Sequence, residues 1–186
     1  MHKTLLKLTP AALLLIAVAN NSHAATNAEI TITGNVTAAT CDVSLSRTTL
    51  DVGNYAPSDF TGVAIPIPAS QAKGKFTVGI ENCQTPLGIG DTANLIVTGP
   101  TLAGNSNIFN NTGTNTGIML SLSSSPNTYI TSGEKLTVAT AGDPPAAGDF
   151  NGKTLSLTAG LASTSTLAGI DISAVRAPIL FSFNYN

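Results

Sequence analysis

Short runs of strict two-residue alternation constrain this chain more than any other feature. In residues 28–36, AEITITGNV, the side chains of Ile30, Ile32 and Val36 fall on one side of an extended chain. Those of Glu29, Thr31, Thr33 and Asn35 fall on the other. In the closing run PILFSFNYN, Ile179, Phe181, Phe183 and Tyr185 alternate with Leu180, Ser182, Asn184 and Asn186. A period of two belongs to strands that bury one face. Comparable runs predict strands at 30–40, 49–52, 75–82, 93–98, 117–123, 134–139, 153–162 and 178–185. Turn-forming clusters separate them: Gly99-Pro100, residues 110–113, Ser125-Pro126-Asn127 and the GDPP at 142–145. No convincing amphipathic helix lies between the strands, which argues against a parallel α/β sheet. The pattern predicts an all-β sandwich. The polar, Asn-rich residues 101–116 read as one long loop, and 69–74 as a single helical turn.

The first 24 residues stand apart from this pattern. Lys3 and Lys7 supply a short basic region, and AALLLIAVA at 11–19 is an apolar run too short to span a bilayer. Ser22-His23-Ala24 places small residues at positions −3 and −1 of a cleavage site. Residues 1–24 therefore read as a secretory signal peptide cut between Ala24 and Ala25. A membrane anchor is the weaker reading, because no other apolar run approaches the roughly 20 residues a span needs. Cleavage leaves 162 residues, about one domain. It removes both histidines, and it leaves six basic against ten acidic residues, a net charge of −4. That balance argues against nucleic acid, which is bound by clustered Lys and Arg. It argues equally against electrostatic attachment to an anionic membrane.

Two cysteines remain, Cys41 and Cys83, and an even count in an exported chain favours one disulfide. A metal site would need further Cys or His ligands, and a catalytic thiol would need a histidine to activate it. Without histidine the usual general base is missing too, and the acids are scattered singly along the chain. The glycines of LGIGDTANL, 87–95, lack the lysine and the strand–loop–helix setting of a phosphate loop. No enzyme, cofactor or metal site is expected.

ITITGNVTAATC at 30–41, LDVGNY at 50–55, FTVGIENC at 76–83, GIMLSL at 117–122 and PILFSFNYN at 178–186 together, in this order, resemble the pilin subunits of the chaperone–usher pathway, of the type 1 and P fimbria kind. ITITGNVTAATC, 30–41, is similar to the family's alternating start before its first cysteine. LDVGNY, 50–55, resembles the motif that follows that cysteine, and FTVGIENC, 76–83, the strand bearing the second. GIMLSL, 117–122, resembles a central strand. PILFSFNYN, with an aromatic at 181 and a penultimate tyrosine, resembles the C-terminal chaperone-recognition strand. Ser173 stands where the family often has a glycine, and Gly169 lies four residues earlier.

The resemblance implies an incomplete immunoglobulin-like β-sandwich over residues 36–186, missing its last strand. A periplasmic chaperone would fill the gap and hold Ile179, Phe181, Phe183 and Tyr185. At the outer-membrane usher the N-terminal extension of a neighbouring subunit, 25–35, would replace the chaperone's strand. Thr26, Ala28, Ile30 and Ile32 would be its inward residues, with Gly34 at the hand-over to the subunit's own domain. The implied role is a structural subunit of a surface fimbrium supporting cell adhesion, growing head to tail. The alternatives are an adhesin-like minor subunit that binds a host glycan or matrix protein through loops at 101–116 or 140–152, and a self-contained secreted sandwich. The good donor strand and the lack of room for a lectin domain weigh against a dedicated tip adhesin.

Overall fold

The computed structural model describes residues 40–67 and 74–186. The expected signal peptide and Ala24–Ala25 cleavage point, the expected donor residues Thr26, Ala28, Ile30, Ile32 and Gly34, and nearly all of the predicted strand at 30–40 and helical turn at 69–74 lie outside them. The described residues belong to one compact unit, Val36–Asn186.

Among the described residues, ten strands form two antiparallel sheets. The larger has seven strands: β1 (Asp42–Leu45), β2 (Lys75–Glu81), β4 (Thr101–Leu102), β5 (Asn105–Phe109), β6 (Thr116–Leu122), β7 (Ser125–Tyr129) and β9 (Lys153–Ser163). Its order is β1-β2-β9-β6-β5-β4, with β7 also paired to β6. The smaller sheet contains β3 (Thr92–Thr98), β8 (Lys135–Thr140) and β10 (Leu180–Tyr185), in the order β10-β3-β8. Alternation in the sequence becomes burial here. In β2, Val78 and Ile80 are fully buried and Phe76 packs on the core, while Lys75 and Glu81 are exposed. Ala93, Leu95 and Val97 of β3 meet Val78, Ile80, Leu120, Leu157 and Ala159 across the sandwich, with Phe109 and Phe150 closing the core.

Cys41 and Cys83 form the disulfide, which ties the entry to β1 to the exit from β2. The two strands pair in register between them, Asp42 opposite Glu81 and Leu45 opposite Val78. Gly79 sits at a close approach between β1, β2 and β9. A Cβ there would come within 2.9 Å of Ser44 Oγ and 3.1 Å of Thr154 Cγ2.

Three sequence expectations are corrected. Residues 49–52 form no strand; Leu50 and Val52 pack on the core from irregular chain. Residues 101–116 are not one loop: they hold β4, β5 and the start of β6, because Ile108 and Phe109 are buried and anchor a strand. Ser125-Pro126-Asn127 begins β7 and is not a turn; β7 lies beside β6 with Pro126 exposed, a place where a strand tolerates a missing N–H.

Candidate functional site

The two sheets are unequal, and the candidate site follows from that. Three strands cannot cover the core face of seven. Beyond β10, among the described residues, a strip of the large sheet faces an open groove of about 1270 Å³. Its floor is apolar: Phe76 from β2, Ile118 and Leu120 from β6, Ala159 and Leu161 from β9. One bank is the irregular chain from Leu45 to Tyr55. The other is the chain from Ser173 to Phe181, the approach to β10 and its start.

Both banks offer some unpartnered main chain. Thr92 and Asn186 exchange two main-chain bonds, Thr92 N–H to Asn186 O at 2.8 Å and Asn186 N–H to Thr92 O at 3.1 Å. Antiparallel ladders alternate, so Asn184, Ser182 and Leu180 direct their main-chain groups at β3, opposite Asn94, Ile96 and Thr98. Phe181, Phe183 and Tyr185 direct theirs away from β3, at the open edge. Val97, opposite Phe181, agrees: it bonds Glu134 O and Gly133 N–H on its other side. The same aromatic residues pack their side chains on the core, with the rings of Phe76 and Phe181 edge to face at 6.1 Å. On the opposite bank, residues 47–55 make no main-chain hydrogen bond to another strand among the described residues. An extended segment laid in the groove would find donors and acceptors on both sides and apolar floor beneath.

Side chains fix the bank that leads into β10. Asn110 turns the 110–116 segment on itself: its amide donates to Thr116 O, and its carbonyl accepts from the N–H groups of Thr112 and Gly113. This turn then grips the distant chain. Asn115 donates to Gly169 O at 2.6 Å and accepts from Asp171 N–H at 2.8 Å. Asp171 accepts from both Thr114 N–H and Thr114 Oγ1–H. Thr112 Oγ1 donates to Ala174 O at 3.0 Å, and Asn111 N–H donates to Arg176 O at 2.8 Å. Sequence reading missed this clamp; its only trace is the density of Asn, Thr and Gly in NNTGTNT, residue types that bond local backbone. Beside it, the buried Thr116 Oγ1 has no hydrogen-bond partner among the described residues.

The far end of β10 is held by its penultimate residue. Tyr185 Oη donates to Asp91 and accepts from Leu87 N–H at 3.0 Å, and its ring meets Phe150 edge to face at 6.3 Å. The Tyr185 hydroxyl, then the Gly88 N–H, hold the Asp91 carboxyl below its ordinary value. The same bond to Asp91 pushes the Tyr185 phenol up. Of the sequence-predicted residues, Ile179 and Phe181 thus line the groove, while Phe183 and Tyr185 continue the same face of β10 beyond it.

No family model matches the chain, and no curated protein matches it. Among solved structures the fold is similar to that of the P pilus rod subunit PapA, with a TM-score of 0.50 at 21% identity. The match covers 85% of this chain and 99% of that one. At this identity the likeness shows the fold: an immunoglobulin-like sandwich of the kind seen in a pilus subunit.

Proposed function

We propose that this chain is a structural subunit of a bacterial surface fimbrium that polymerises by donor-strand exchange. One observation carries the reading: an apolar groove lies between two partly unpartnered main-chain edges, on a fold similar to that of a pilus rod subunit. A groove of this kind is an aggregation hazard until a strand fills it.

The natural filling is residues 25–35 of a second copy. Thr26, Ala28, Ile30 and Ile32 would face the floor, and Gly34 would pass the chain back to its own domain. Before assembly, a periplasmic chaperone would supply the strand and hold Ile179, Phe181, Phe183 and Tyr185, and the outer-membrane usher would be the place of exchange. The contact is head to tail, so it does not close and yields a filament. Export through the periplasm follows from cleavage after Ala24, and the cell-surface fibre would support adhesion.

Deleting residues 25–33 tests this. The truncated subunit is expected to accumulate bound to its chaperone and to accept a donor strand without donating one. Fibres that continue to grow through the truncated subunit would refute the proposal.

A further inference from the structure

The chain has two arginines, Arg47 and Arg176, and both line the groove. They stand on opposite banks, Arg47 in the irregular chain after β1 and Arg176 in the clamped approach to β10, and both are exposed. Arg47 follows a hydrogen-bonded residue, and Arg176 is itself hydrogen-bonded through its main chain. Ser46, beside Arg47, donates its N–H to Thr77 O at 3.0 Å and accepts from Thr77 N–H through its hydroxyl at 2.9 Å. Arg176 is bonded through its carbonyl to Asn111, and its N–H donates to Thr112 Oγ1 at 3.1 Å. Asp51 is the one acid among the lining residues, and its carboxylate accepts the Gly53 N–H at 2.9 Å. The groove rim therefore carries a cationic excess in a chain whose processed form is acidic.

The segment that the proposed function assigns to this groove, 25–35, reads ATNAEITITGN and holds a single charged side chain, Glu29. With Ile30 and Ile32 turned to the floor, alternation turns Glu29 outward, to the level of the rim. We infer that Arg47 and Arg176 are specificity-determining residues: they draw in and register the donor strand of a second copy through its Glu29. This rests on the donor-strand reading and deepens it. Apolar side chains at every second position would tolerate a two-residue slip, because such a slip keeps the same face inward. A rim charge matched to one acid penalises that slip. Rim charges act chiefly on association rate and its salt dependence, and they penalise wrong partners.

The test uses the full mature chain and follows polymerisation by light scattering at low and high salt. Neutralising either arginine, Arg47→Gln or Arg176→Gln, is expected to slow assembly by about two- to fivefold, the range for exposed pairs. Glu29→Gln should do the same. Raising salt should slow the wild type toward the rate of the variants. Arg176→Glu should slow assembly further, and Glu29→Arg in that background should restore part of the rate, which a merely misfolded variant could not show. A wild type that assembles at the same rate as every variant, at either salt, would overturn the inference and leave the donor-strand reading standing. A wild type that forms no polymer would overturn both.

Discussion

Joining the donor segment to the acceptor domain within one chain gives the most quantitative consequence of an open groove. Residues 26–34 can be appended after Asn186 through a short hairpin turn, so that they run back along the outer edge of β10. At about 3.3 Å per residue the nine added residues span roughly 30 Å, against roughly 20 Å for the six of β10, and so continue beside the 173–179 bank. Their main chain meets the groups that Phe181, Phe183 and Tyr185 direct outward, and Ile30 and Ile32 settle over the floor residues. Full burial of each isoleucine is worth about 1.5–3 kcal/mol, so the pair contributes about 3–6 kcal/mol. For a chain of this size that corresponds to a rise of roughly 6–24 °C in Tm, read by calorimetry against the parent. A control with the appended sequence slipped by one residue turns both isoleucines to solvent and should lose most of the gain. Equal Tm values for the matched and slipped versions would refute the idea that the groove reads an alternating apolar strand.

Other consequences are smaller in scale. Replacing Cys41 and Cys83 together by serine opens a loop whose ends lie 42 residues apart, and should lower stability by about 4 kcal/mol in denaturant titrations. Asn115→Ala removes two hydrogen bonds between the 110–116 turn and the 169–171 chain, and should cost roughly 1–3 kcal/mol while loosening the bank, seen as faster amide exchange at Arg176. Tyr185→Phe should leave the end of β10 less anchored in a pH-dependent way. Asp91 is depressed in the folded chain, so its contribution is present above its ordinary value of 3.8 and is lost as pH falls through the lower folded value. Tyr185 is raised from its ordinary 10.0, so its contribution is present below that value and is lost as pH climbs through the higher folded one. The stability gap between wild type and Tyr185→Phe should therefore be flat near neutrality and shrink toward both extremes; a gap unchanged at pH about 3 would contradict the assignment.

Where one strand buries one face, the sequence was readable. Lys75–Glu81, Thr92–Thr98 and Leu180–Tyr185 announce themselves by alternation, and the disulfide by an even cysteine count in a chain read as exported. Legibility failed where burial is two-sided or absent. Residues Asn105–Phe109 read as loop because three polar residues precede Ile108 and Phe109, and the strand is held by pairing to Thr101–Leu102 and to β6. Residues 49–52 carry the right pattern, yet they pair with no strand among the described residues. That failure is informative, since those residues form the bank of the groove. One edge of the candidate site was visible as PILFSFNYN. The rest depends on which loops the topology brings beside β10: the clamp of Asn110, Asn115 and Asp171 joins residues more than 50 positions apart, and no local pattern encodes it.

Amide hydrogen exchange along β10, with the groove open and filled, tests the central claim most directly. Ser182, Asn184 and Asn186 donate to β3 and should be protected in both states. Phe181, Phe183 and Tyr185 direct their amides away from β3 and should exchange quickly before a strand is supplied, then become protected when residues 25–35 of another copy are added. Protection of these three amides in step with their neighbours before any strand is supplied, or continued rapid exchange in the assembled fibre, would contradict donor-strand filling.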